Sequence, residues 1–152
     1  MGQSCAIARM VQGTVNTLPW KGIIASAALY FIDSHVHEGR GDKVAFREYP
    51  NGWVLSYGMM AATSDKIFGA LGQVGIAREE LAAMLVLDYL EFLQIFWGAI
   101  KAGVVPVPLN TLLAALVYDE ILRDSRISIL FISGALYAEL KSVLADNLYL
   151  SQ

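Results

Sequence analysis

At 152 residues the chain is the size of one domain, long enough to bury a real core, and its single cysteine, Cys5, rules out an internal disulfide. A net charge of −3, with 11 Lys and Arg that form no run, argues against a nucleic-acid partner. Charged residues make up only 16% of the chain and mean hydropathy is +0.50, so either it enters a membrane or much of its surface meets more protein. The membrane reading fails on length. The central charge-free run from Ala102 to Tyr118 contains Pro106, Pro108 and Asn110, and a span needs about 20 mostly apolar residues. Export is disfavoured as well. The apolar run Gly22 to Ile32 follows Lys21, but its one A-x-A site, Ala25-Ser26-Ala27, lies inside the run instead of after it. With one cysteine and no export signal, the expected location is the reducing cytoplasm.

In chain order, residues 1 to 21 show no clear period and end at Pro19 and Gly22, which predicts a loosely ordered leader ahead of a single domain over 22–152. Ala25 to Glu38 has helical spacing in Ala28, Ile32 and Val36, and stops at the turn Gly39-Arg40-Gly41-Asp42. Val44 to Tyr49 and Trp53 to Tyr57 are two short strands around Pro50-Asn51-Gly52, where Asn-Gly signals a hairpin. Ser56 then caps a helix running to about Gln73, with Met60, Ser64, Ile67, Leu71 and Val74 on one face and Gly75 closing it. Met84 to Leu87 is an unbroken apolar run, the pattern of a strand covered on both faces. Asp88 is placed to cap the next helix, with Glu91 at its third position to answer the capping Asp. In that helix Glu91, Gln94, Gly98 and Lys101 form one narrow polar or neutral stripe, and apolar side chains cover the rest. Such a helix must be buried nearly all round. Gly103 ends it, and Val104 to Leu109 is a strand whose Pro106 and Pro108 lack donors, so it is short or lies at an edge. Ala114 to Asp124 reads as helix, Ile127 to Ile132 as another covered strand, and Ala135 to Ala145 as a last helix with Leu136, Leu140, Val143 and Leu144 inward. Strands alternating with helices define an α/β fold, a mostly parallel sheet flanked by helices, with the small hairpin ahead of it.

Catalytic sets are sparse. His35 and His37 stand two apart on a helix, so they point to different faces and read as surface histidines near a helix end. Glu79-Glu80 and Asp119-Glu120 are turned apart in the same way and read as solvated faces. No Gly-x-Ser-x-Gly elbow marks a serine nucleophile. Gly69 to Gly72 and Gly98 to Gly103 lie within or at the ends of helices and match neither a dinucleotide fingerprint nor a phosphate loop. Lys101 and Lys141 read as solvent-facing lysines. Trp53, Phe96 and Trp97 read as core residues, since the charges that accompany a base-stacking platform are missing. No catalytic, cofactor-binding or metal-ligating residue is assigned.

Several strings carry a resemblance. They are Tyr30-Phe-Ile-Asp33, Glu38-Gly-Arg-Gly-Asp-Lys-Val-Ala45, Leu55-Ser-Tyr57, Phe96 through Leu113 (FWGAIKAGVVPVPLNTLL), and Leu122-Arg-Asp-Ser-Arg126 before a strand. Together they resemble the opening part of the adenylate-forming acyl-CoA ligases. The Lys-Ala-Gly segment looks like the family's second core motif, and its combination with Asn-Thr-Leu-Leu and Asp-Ser-Arg is similar to the benzoate-CoA ligase branch. The match covers about residues 25 to 150 but only about the opening quarter of such an enzyme. The resemblance implies an enzyme that joins an aryl carboxylate to ATP as an acyl-adenylate, with Mg, and passes the acyl group to coenzyme A. The family's phosphate loop, aryl pocket, ribose-binding aspartate and C-terminal lysine cannot be placed on these residues, so the chain alone is expected to be inactive and to bind no cofactor.

Within the matched region, Ser56-Tyr57-Gly58-Met59-Met60 replaces a pattern with Glu at the fourth position, which would complete a capping box with Ser56. After Leu113 stand Ala114, Ala115, Leu116 and Val117, where the resembling enzymes supply Thr and acids. Both changes weaken helix starts. Two other readings accompany the ligase one. The first is a non-catalytic module that self-associates or pairs with another chain through exposed apolar surface. The second is a free-standing nucleotide-binding domain, which the missing glycine fingerprint makes poor.

Overall fold

The computed structural model describes residues 5–10, 26–87, 89–145 and 150–151, with side chains in 26–87, 89–142 and at Leu144. A π-helical turn, Leu29–Asp33, leads into the short helix α1, Ser34–His37. A hairpin follows, β2 (Val44–Arg47) and β3 (Val54–Ser56), after a first strand β1 at Cys5–Met10. Then come α2 (Tyr57–Gln73), β4 (Leu81–Leu85), α3 (Leu90–Ala102), β5 (Val105–Pro108), α4 (Ala115–Asp124), β6 (Ile127–Ser133), α5 (Gly134–Ala145) and β7 (Leu150–Ser151). The main sheet has the order β5-β4-β6-β1-β7, and the hairpin is a separate two-stranded sheet. β4 runs parallel to both β5 and β6, while β1 is antiparallel to β6 and to β7. The expected α/β architecture is therefore present, including the hairpin outside the main sheet.

Strand alternation divides the core. Ala82, Met84 and Val86 of the β4 segment, with Ile129 and Phe131 of β6, face α2 and α3 and meet Leu71, Ile95, Ala99 and Ala102. Ala83 and Leu85, with Leu130 and Ile132, face the other way, against Tyr118 and Leu122 of α4 and Leu140 and Leu144 of α5. β4 and β6 thus carry apolar side chains on both faces, the burial that an unbroken apolar run signals. A third, smaller cluster of Ile32, Leu55 and Met60 joins the π turn, the hairpin and α2.

The helix starts follow local chemistry. The Ser56 hydroxyl accepts the Met59 amide at 3.2 Å, as its position predicts. Two further free amides of this first turn are taken by backbone, Tyr57 N by Lys43 O at 3.0 Å and Gly58 N by Gly41 O at 2.8 Å. Every residue of α3 is buried or half-buried, as its apolar girth requires. Gly103 ends α3 with φ of +72°, a left-handed geometry that glycine adopts freely. β5, with its two prolines, pairs only with β4 and lies at the sheet edge.

Several boundaries and environments depart from expectation. The strand expected over Met84 to Leu87 begins at Leu81 and ends at Leu85, because pairing with Val105 and Ile127 starts at Leu81. Asp88 lies outside the described residues; α3 begins after Tyr89, which makes no side-chain cap bond. Trp53, expected in the core, is 53% exposed, because the hairpin projects from the helices and buries only Leu55 among its large apolar side chains. The hairpin loop spans four residues, closed by Glu48 N to Trp53 O at 2.8 Å, and its strands are shorter than read. Within the stretch read as a leader, Cys5–Met10 stands as β1 and the remainder lies outside the described residues. Val143 also falls outside the described side chains.

Candidate functional site

In open α/β sheets, ligands gather where parallel strands end. At that end of β4, the Leu87 amide donates to the buried Ser133 hydroxyl at 3.0 Å. Beyond β5, the Leu109 amide donates to Met84 O at 3.0 Å. The Asn110 side chain accepts the Leu112 amide at 2.9 Å, and the buried Tyr118 hydroxyl donates to Asn110 O at 2.8 Å while accepting the Leu113 amide at 3.1 Å. α4 therefore pins the loop that follows β5. These groups satisfy one another, so among the described residues the edge is a braced loop with no paired nucleophile and base.

An ionic cluster lies elsewhere, and sequence reasoning missed it. Lys101 does not face solvent: its side chain is 14% exposed, and its ammonium meets Asp33 at 2.9 Å and Asp65 at 2.6 Å. One cation from α3 thus joins the π turn and α2. Burial alone depresses the Lys101 ammonium, but the hydrogen bonds it donates to Asp65 and Asp33 and the charges of both carboxylates outweigh it, so its pKa lies above the ordinary lysine value. A signal was present. Gly98 and Lys101 are three apart and share a helix face, and a Cβ at Gly98 would stand 2.6 Å from Ile67 Cβ, so that face packs tightly on α2.

The other sequence candidates stay apart. His35 lies against the Tyr57 ring, centroids 4.0 Å apart, with its Nδ1 buried and unpartnered, while His37 is exposed. Among the described residues, no three His, Cys, Asp or Glu side chains converge in a way that could hold a metal. The Glu80 carboxylate accepts the Ala77 amide at 2.9 Å, and Asp119 pairs with Arg123 four residues on in α4. Lys141 is exposed; Phe96 and Trp97 are half-buried against the core clusters. A small cavity of about 40 Å³ between α2 and β6 is lined by Ile67, Ala70, Leu71, Val74, Ile129 and Phe131. With an all-apolar lining it offers a polyphosphate or a divalent cation nothing to bind, and Lys101 is already engaged by two carboxylates. The described residues therefore do not fit ATP, Mg²⁺ or coenzyme A, and no catalytic step is derived through them.

A mixed sheet whose parallel strands β5, β4 and β6 lie beside an antiparallel β1, with helices on its faces and a separate hairpin, defines an α/β fold. The chain belongs to the AMP-binding enzyme family, whose pattern it matches over residues 33–150. It is 38% identical over 121 residues to the 4-hydroxybenzoate–CoA/benzoate–CoA ligase of Rhodopseudomonas palustris, a match covering 80% of this chain and 22% of that protein. The structure is similar to that of a benzoate CoA ligase from Burkholderia xenovorans, with a TM-score of 0.71 at 30% identity over 80% of this chain and 24% of that one. It is also similar to the anthranilate CoA ligase AuaEII in complex with anthranoyl-AMP, with a TM-score of 0.60 at 28% identity over 66% of this chain and 19% of that one. The chain thus spans about a fifth of the length of these ligases. No described helix is long and apolar enough to cross a membrane.

Proposed function

We propose that this chain supplies the N-terminal α/β portion of an ATP-dependent aryl-acid CoA ligase and is not catalytic by itself. In complete form such an enzyme activates a benzoate-like carboxylate as its acyl-adenylate, releasing pyrophosphate, and passes the acyl group to the thiol of coenzyme A. One observation carries this reading: 38% identity to a benzoate–CoA ligase across 80% of the chain, which spans only 22% of that ligase. Adenylyl transfer needs fixed donors and charge held against the phosphates, and the half-buried Lys101 and the buried Asp33, Glu48, Ser64 and Ser133 are each already bonded within the fold. No residue of 1–152 is assigned a catalytic, nucleotide-binding or metal-binding role. Residues 22–152, together with β1, are read as one partial domain, and the cytoplasm, with its reducing conditions, as the location.

The test is benzoate-dependent exchange between ATP and labelled pyrophosphate. Purified chain should give no exchange above the no-enzyme background. Saturable exchange that follows the pure protein would overturn the non-catalytic reading.

A further inference from the structure

The two edges of β6 meet different kinds of partner. One edge pairs in parallel with β4, and the other pairs antiparallel with β1, from Ile129 opposite Arg9 to Ser133 opposite Cys5. The strand reads ISILFIS over Ile127–Ser133, with no charge and no proline. Each of its amides can therefore donate, and a bare edge of that composition is a template for any extended segment. The β5 end of the sheet differs, because Pro106 and Pro108 have no amide to offer. β1 closes the β6 edge from outside the matched family region, since Cys5–Met10 lies ahead of residues 33–150. Its pairing runs along the main chain, Cys5 to Arg9 against β6 and Arg9 and Met10 against β7. Main-chain bonds of this kind give affinity without demanding one particular sequence.

We propose that this edge of β6 is a strand-acceptor site for an extended, mainly apolar segment in antiparallel register, and that Cys5–Met10 is its resident, displaceable occupant. Strand direction supports this. A parallel neighbour has to be reached by a crossover of about a dozen residues or more, whereas an antiparallel one can be presented by any segment of the right polarity. The place of β6 in the fold supports it too. Ile129 and Phe131 pack into the layer with α2 and α3, and Leu130 and Ile132 into the layer with α4 and α5. The acceptor strand is thus held from both faces while its edge partner exchanges. A segment docked along an edge by backbone bonds opens at lower cost than the layered strands behind it. The site goes beyond the ligase reading and does not depend on it, because it uses only the β6 edge and the N-terminal strand.

The experiment uses the full chain and a fluorescent peptide of residues 4–11 carrying Cys5→Ser. In the chain, the double variant Ile7→Pro/Ala8→Pro removes two adjacent amides. Neighbouring residues of a strand point their amides to opposite edges, so one of the two faces β6 whatever the phase. Ala8→Ser is the control that keeps every amide. The peptide should bind the double-proline chain at least about tenfold more tightly than wild type or the control, because there the resident strand no longer competes. The same peptide bearing both prolines should not bind. Amide exchange in the double variant should quicken at alternate positions of Ile129 to Ser133, return to the wild-type rate with peptide, and stay unchanged at Ala82 to Leu85. Equal affinity for all chains, no binding to the double variant, or binding that survives prolines in the peptide would overturn the proposal. Exchange that quickens through β4 as well would also overturn it, since β1 would then be an inseparable part of the core.

Discussion

Lys101 and Asp33 are each about nine-tenths buried at the side chain, and their partnership is what makes that burial tolerable. Replacing Lys101 by Met leaves the Asp33 carboxylate buried without its cation, which should cost about 3 kcal/mol. Adding Asp33→Asn should recover a large part of that loss, since a neutral pair has no charge to desolvate. Urea denaturation of the single and double variants measures both. The sign of the pH dependence is also fixed. Because the folded Lys101 pKa lies above the ordinary value of 10.5, its contribution is fully present at neutral pH and is lost as pH rises through the folded pKa. The stability difference between wild type and Lys101→Met should be flat from neutrality to the ordinary lysine pKa and shrink above it. A difference that instead grows in alkali would contradict the ion pairing. At the start of α2, Ser56→Ala removes the one side-chain cap and should cost about 1 kcal/mol.

At the scale of elements, α2 and α3 pack tightly at Gly98. Gly98 has no room for a Cβ, because Ile67 Cβ and Cγ2 would lie 2.6 Å away. Those atoms sit next to the α2 backbone and cannot swing aside, so the helices must separate. Gly98→Ala should therefore destabilise: overpacking costs about 1–3 kcal/mol, and the helix propensity that Ala gains over Gly, about 1 kcal/mol, offsets only part of it. The double variant Ile67→Ala/Gly98→Ala should lose less than the two single losses combined, and additive losses in thermal unfolding would show that the two sites do not touch. Met59 occupies the third position of α2 and is exposed. Met59→Glu places an anion at the positive end of the helix and should add about 0.3–1 kcal/mol, an effect that salt should reduce.

For the whole molecule, protection should follow the layers. β4 and β6 lie between helix pairs, whereas β5 is an edge and the hairpin stands outside both large clusters. Amide exchange should be slowest at Ala82 to Leu85 and Ile129 to Ile132, and fastest among strands at Val44–Arg47 and Val54–Ser56. Equal protection of hairpin and central strands would contradict this layering.

The sequence by itself determined the order of elements and most of their types, because those depend on local chemistry. Ser56 caps wherever a helix follows it, Gly103 stops a helix by adopting positive φ, and two prolines keep β5 at an edge whatever its neighbours. The strings around Lys101-Ala-Gly103 likewise carry the family resemblance in the sequence alone. Tertiary structure decided what depends on a distant partner. Asp33 lies 68 residues from Lys101, and no local pattern ties them together. The start of β4 at Leu81 was set by pairing with β5 and β6, although Leu-Ala-Ala in isolation favours a helix. Trp53 looked like core by composition, but the hairpin carries it away from the clusters that would have enclosed it. Burial belongs to the assembled fold, because only the packed elements decide which side chains lose contact with water.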